Sequence, residues 1–340
     1  FLTFAVVWSQ LSRRLSELRQ PLLAEGCFQM VLQGLRQFAQ QDYFPLYGGL
    51  FTALSGESLR TLLDYLDQPL RQVPNTDTKA RILTLLGYSQ RALGHYDQAQ
   101  QFHERALESA RAINDRRCEI ANLNHLSRTA VMAPDFDAAI AHSQRALILA
   151  RQVGDRVGEA NALANFGYSE VSRAQANPLE PEQIESVLTY LEQGLTLTEQ
   201  VQDRPSEALC ANSLGVAQVM LRRYDAAITV LEKGLQTAQA IGDVFLQGMN
   251  YSYLAIAYQN LENTEMSVFC GAMGMYLLWQ INSEQWHQPA GTLSILSGQM
   301  GAAAYQATLE TYRTAFLRQI GVDGYDYLPK LLAEYRESLG

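Results

Sequence analysis

The stretch Leu86-Gly87-Tyr88, followed by Leu93-Gly94-His95-Tyr96-Asp97-Gln98-Ala99 and then by Ala106-Leu107 and Ala110, decides the fold because it comes back. Forty residues on it reads Leu126-Ser127-Arg128, Phe136-Asp137-Ala138-Ala139, Ala146-Leu147 and Ala150. It returns as Phe166-Gly167-Tyr168, as Leu214-Gly215-Val216 with Tyr224-Asp225-Ala226-Ala227 and Gly234-Leu235, and more faintly as Leu254-Ala255-Ile256. A second marker keeps the same beat: Asn114-Asp115-Arg116, Gly154-Asp155-Arg156, Gln202-Asp203-Arg204 and Gly242-Asp243. Two independent markers in one register define an internal repeat, and a period of this size belongs to stacked supersecondary units.

Within each repeat the apolar spacing is helical, as in Ile82, Leu85, Leu86 and in Phe102, Ala106, Leu107, Ala110, so each repeat is expected to be a helix pair. In the Gly-Asp turns the Gly can take the left-handed conformation that ends one helix, and the Asp can accept free amide protons of the next. Gly87, Gly167 and Gly215 in the first helix, and Ala106, Ala110, Ala146 and Ala150 in the second, let helices approach closely while Leu, Tyr and Phe fill the remaining space. The step from Gly167 to Gly215 is 48 rather than 40. It places an eight-residue insertion near 177–184, around Asn177-Pro178-Leu179-Glu180-Pro181-Glu182, where it is expected to lengthen a connection between helices.

This set of motifs resembles the tetratricopeptide repeat, with its L-G-x2-Y, A-x-x-x-F and A-L signature, in the forty-residue version found in kinesin light chains and bacterial regulatory proteins. The resemblance spans about residues 76–282, with Ser127 and Ala255 replacing the family Gly. It implies an all-α tetratricopeptide right-handed superhelix, an α-solenoid of antiparallel helix pairs. Residues 1–75 read as divergent helical repeats: Leu11-Leu15-Leu18, Cys27-Val31-Leu35-Phe38 and Leu59-Leu62-Leu63-Leu66-Leu70, with breaks at Pro21, Pro45, Gly48-Gly49 and Pro69. Residues 283–340 are expected to cap the solenoid, and the aromatic fifth repeat (Tyr251, Tyr253, Tyr258, Phe269, Tyr276, Trp279, Trp286) to pack against that cap. The tail from Ile320 to Pro329 is similar to the ends of tetratricopeptide proteins common in cyanobacteria.

Composition narrows the function. With 35 Asp+Glu against 26 Lys+Arg the net charge is −9, and only three of the cations are Lys, so no basic stripe suited to nucleic acid stands out. Cys27, Cys118, Cys210 and Cys270 are too far apart for a zinc ribbon or a redox pair, which points to reduced, buried thiols and a cytoplasmic setting. The apolar run at Phe4–Trp8 is far shorter than the roughly 20 residues that span a bilayer. Peripheral attachment to a membrane stays open, and the opening on Phe1 rather than Met leaves room for a preceding leader or anchor. No nucleophile elbow, Walker loop or GxGxxG turn is present, and none of His95, His103, His125, His142 and His287 pairs at i, i+4 as helical zinc ligands do. No catalytic residue, metal or cofactor is therefore expected, and no reaction.

The resemblance also implies a concave groove lined by first helices, at positions six, three and two before the small residue and one after it. Here those positions hold Asn124, His125 and Arg128; Asn161, Asn165 and Tyr168; and Asn212 and Ser213. An amide donates and accepts at once, so recurring Asn can pair with the backbone of an extended peptide; the competing reading is that Asn simply tolerates a wet helix face. The family's carboxylate clamp for chaperone C-termini needs Lys and Asn at set places, where this chain has Thr84, Tyr88 and Arg128. The expectation is an interaction scaffold or adaptor that holds a peptide segment of another protein in its groove. The first alternative is a regulatory receptor for a small peptide or metabolite, and the second an enzyme whose site leaves no motif.

Overall fold

The computed structural model describes residues 2–39, 70–92, 94–177 and 180–338, and among them every regular element is helical. Two helices come first, α1 (Leu2–Glu17) and α2 (Pro21–Ala39). The forty-residue beat then lays down α3 (Asp77–Ala92), α4 (Tyr96–Ala112), α5 (Arg116–Met132), α6 (Phe136–Val153), α7 (Arg156–Ala176), α8 (Pro181–Val201), α9 (Arg204–Met220), α10 (Tyr224–Ile241), α11 (Val244–Asn260) and α12 (Thr264–Gln280). A 3₁₀ turn at Glu284–Trp286 leads into α13 (His287–Met300), α14 (Ala302–Thr311) and α15 (Arg313–Ser338), which bends at Gly321. The helix expected over Leu59 to Leu70 lies outside the described residues except for its last member.

The turn chemistry works as the sequence implies. Asp115, Asp135, Asp155, Asp203 and Asp243 each accept a hydrogen bond from the amide three residues on, at 2.9–3.3 Å, and so satisfy a first-turn donor that has no partner within the helix. Gly154 and Gly242 close α6 and α10 in the left-handed conformation at φ 70°, while Asn114 and Gln202 do the same without being Gly.

The insertion is taken up differently from expectation. A standard repeat here has a 17-residue first helix and an 18-residue second one, as in α5 and α6, whereas α7 and α8 have 21 residues each. Seven of the eight extra residues thus extend helices, and the connection grows by one. The cause is visible in α8: Glu180 and Gln183 form a reciprocal capping box, Pro181 opens the helix, and Ile184 in its first turn is buried in the core.

The chain divides into two compact units, Phe1–Ala162 and Leu163–Gly340, each an all-α stack of consecutive helix pairs. In the first, α2 packs on α3, α3 on α4, α4 on α5 and α5 on α6. In the second, α8 through α12 pack in sequence and one core runs from Leu191, Leu214 and Leu231 to Leu293, Phe316 and Leu328. Small residues set the helix spacing: a Cβ on Gly215 would stand 2.4 Å from Leu231 Cγ, and one on Gly167 would stand 2.2 Å from Leu191 Cδ2. The aromatic residues of the fifth repeat pack towards the C-terminal helices, Phe269 lying 5.0 Å from the rings of Tyr312 and Phe316 and Trp279 lying 4.8 Å from Tyr327.

Candidate functional site

In the first unit the first helices have one accessible stripe. Along α3 from Arg81 to Arg91 only Arg81, Tyr88 and Arg91 escape full burial, and along α5 from Ala121 to Met132 His125 and Arg128 do so together with Ala121, Ala130 and Met132. The spacings 81, 88, 91 and 121, 125, 128, 132 each follow one side of a helix. On the part of α7 that belongs to this unit Asn161 is half-buried. These side chains touch one another: the Arg91 guanidinium lies 4.9 Å from the Tyr88 ring centre, Tyr88 meets His125 edge-on at 5.9 Å, and His125 stacks on His103 at 4.9 Å.

Beneath the stripe is a polar layer. Asn122 Nδ2 donates to the Cys118 carbonyl and to Thr84 Oγ1, both at 2.9 Å, and Asn122 Oδ1 accepts from His103 Nδ1 at 3.2 Å. His103 is fully buried, and Gly87 makes room for it, since a Cβ there would come within 2.7 Å of the imidazole. Burial, reinforced by Arg91, pushes the His103 pKa down from 6.5 to about 3; burial, the adjacent His103 imidazole and the guanidinium charges of Arg91 and Arg128 hold His125 well below the usual imidazole range. Burial likewise pushes the Cys118 thiol up to about 12 and raises Cys210 and Cys270, so these thiols are inert.

A pH dependence follows from His103. The folded chain keeps it neutral while the unfolded chain takes up a proton below about pH 6.5, so stability falls as the pH drops through that value and keeps falling towards the folded pKa. Urea melts are expected to show about 2 kcal/mol of loss from this residue at about pH 5 relative to neutral pH, and His103→Gln should flatten the dependence. A wild-type midpoint that stays constant over that window would contradict the buried neutral imidazole.

The Asn residues singled out by the sequence do not share one environment. Asn124 is only 4% exposed, and its Oδ1 has no hydrogen-bond partner among the described residues. In the second unit Asn212, also buried, donates from Nδ2 to Asn250 Oδ1 at 3.3 Å, and Asn250 donates to the Leu246 carbonyl at 2.7 Å. Thr84 with Asn122 and Asn212 with Asn250 occupy the same places in successive repeats, 38 residues apart, and form polar rungs between first helices. At the corresponding place 38 residues beyond Asn124 stands Ala162, which has no polar side chain, and this explains the orphaned oxygen. Asn122 and Asn250 escaped the sequence reading; their shared spacing to a polar residue one repeat earlier was the signal available.

Asn165 and Ser213, buried at 3% and 1% exposure, and the half-buried Tyr168 belong to the second unit. There α9 is buried without a break from Ser206 to Gln218. Gln175 Nε2, near the end of α7, donates to the hydroxyl of Tyr253 on α11, which occupies the same repeat position as Asn165 and Ser213. The Ser213 hydroxyl and Gln218 Oε1 stay without hydrogen-bond partners among the described residues. Among those residues no three His, Cys, Asp or Glu side chains gather as a metal site, and no helix is long and apolar enough to cross a membrane.

The tetratricopeptide-repeat family profile matches residues 82–117, the pair α3 and α4. The chain thus carries a tetratricopeptide repeat, and its fold is that of tetratricopeptide proteins. Solved structures agree. A Rap protein complexed with competence and sporulation factor superposes with a TM-score of 0.57 at 11% identity, covering 99% of this chain and 98% of that one. The apo form of the quorum sensor NprR from B. thuringiensis gives 0.51 at 15% identity, covering 99% and 93%. Aspartyl phosphate phosphatase F from Bacillus subtilis gives 0.51 at 12%, covering 98% and 93%. At such identities the likeness is one of fold. No curated protein sequence matches the chain.

Proposed function

We propose that this protein is an interaction module that holds a peptide segment of a partner along the first-helix faces of its repeats, and that it works in the cytoplasm. The residues assigned to that role are Asn124, His125, Arg128 and Asn161 in the first unit, and Asn165, Tyr168, Asn212 and Ser213 in the second. The observation that supports it is the stripe of half-buried Arg81, Tyr88, Arg91, His125, Arg128 and Asn161, left over by a packing that buries nearly everything between them. Side chains that can donate, accept and stack, fixed on rigid helices, suit an extended backbone that must replace its hydrogen bonds to water.

Replacing Asn161 and Asn165 with Ala is expected to weaken partner capture by about 1–3 kcal/mol, a factor of roughly 5 to 150. A pull-down from the native host, with the melting temperature of each variant as a folding control, measures this. If capture stays at the wild-type level while Arg222→Ala with Arg223→Ala abolishes it, the outer surface is the binding site.

A second reading, a regulatory receptor that changes shape around a small peptide, draws support from the second unit. Asn165, Asn212 and Ser213 are covered there and the Gln175–Tyr253 bond ties α7 to α11, so a ligand would reach them only after the unit opens. The likeness to a Rap protein complexed with competence and sporulation factor and to a quorum sensor fits this reading. Small-angle scattering separates the two: a change in radius of gyration on ligand addition favours the receptor. Neither reading calls for a chemical step.

A further inference from the structure

We infer that the partner segment held by the first unit is acidic, its carboxylates engaging Arg91 and Arg128 on either side of Tyr88 and His125. This deepens the peptide-binding reading and rests on it. The observation is one of charge placed against the trend of the chain. Acids outnumber bases 35 to 26 overall, yet from Ala80 to Ala92 on α3 and from Ile120 to Met132 on α5 there are three Arg and no Asp or Glu. All three, Arg81, Arg91 and Arg128, lie on the accessible stripe. Glu119, the acid at the start of α5, is already bonded to Arg111 at 2.8 Å and to Arg116 at 2.7 Å.

The local field agrees. Burial is the first reason that His125 resists protonation, the stacked His103 imidazole adds to it, and the charged groups that add further, Arg91 and Arg128, are both cationic. Arg128 has no ion-pair partner among the described residues, and Tyr88 supports the Arg91 guanidinium from below. Guanidinium forks match carboxylates in a bidentate way, and partial burial protects such pairs from screening. Three cations on a chain of charge −9 are too few to follow a phosphate backbone, which favours a short acidic peptide over a nucleic acid.

Fluorescence anisotropy of the full chain with labelled ten-residue probes, alternating Glu-Ala, alternating Gln-Ala and single-stranded oligothymidylate, tests the inference. The Glu probe is expected to bind about tenfold more tightly than the Gln probe at about 50 mM salt, with the advantage shrinking at about 200 mM. Arg91→Gln with Arg128→Gln should erase that advantage, and Arg128→Gln alone should reduce it, should the double variant melt early. Arg222→Gln with Arg223→Gln should leave it intact. Equal binding of the Glu and Gln probes overturns the acidic assignment while leaving the peptide-binding reading in place; that reading stands or falls separately with the Asn161 and Asn165 variants. Tighter binding of the oligothymidylate, no binding of any probe, or loss only in the Arg222 and Arg223 variant also overturns it.

Discussion

Gly215→Leu is expected to lower the stability of the protein by about 3 kcal/mol, the upper end of what overpacking a core costs. The reason is geometric. The added Cβ alone would stand 2.4 Å from Leu231 Cγ, and Leu231 is fully buried, so it has no solvent to retreat into. The helices α9 and α10 must part, and the contacts of the repeat with α11 go with them. Thermal or urea denaturation followed by circular dichroism measures the loss. A variant that melts with the wild type would mean that the small residue of the forty-residue beat does not set the helix spacing.

Deleting Pro178 to Glu185 should be as damaging or more so, at about 2–5 kcal/mol, although it would restore the forty-residue step. On spacing alone the deletion looks harmless, because it shortens what reads as a surface connection. The structure reverses that expectation. Most of the extra length is helix, and the deleted segment includes the capping box of Glu180 with Gln183 and the buried Ile184. Removing an Ile from a packed core costs about 2–5 kcal/mol when the site cannot collapse, and a lost cap adds about 1. Reduced helix content and an earlier urea midpoint are the expected results; an unchanged midpoint would place the insertion outside the core after all.

The periodic part of the fold was legible because repetition multiplies weak signals. One Asp before a helix is a poor predictor, but Asp115, Asp155, Asp203 and Asp243, at the same turn of four successive repeats and each accepting from the amide three residues on, leave little room for another reading. What was not legible is what the repeat does not dictate. Seven extra residues join a helix or a loop according to local caps and burial, and Ile184 tips the balance towards helix. Asn122 and Asn250 were hidden because they lie five before the small residue, outside the positions that the family resemblance assigns to the groove, and their partners sit one repeat earlier. Arg91 was missed for the same reason, four after the small residue. The family resemblance places Asn212 among the groove-lining residues, and the structure buries it as half of a rung.

The hydrogen bond from Gln175 to Tyr253 differs from its neighbours in the length of chain that it closes, 78 residues against 38 for either polar rung. That difference imposes an order of assembly. In a stack where each helix meets mainly the next one, folding can begin at any repeat and spread either way, and no step has to wait for a distant part of the chain. This bond cannot be made early, because its two ends are brought within reach only when α8, α9 and α10 have already folded between them. Its formation therefore reports that the stretch from α7 to α11 has assembled, and its breakage would release α7 from α11 without unravelling any single repeat.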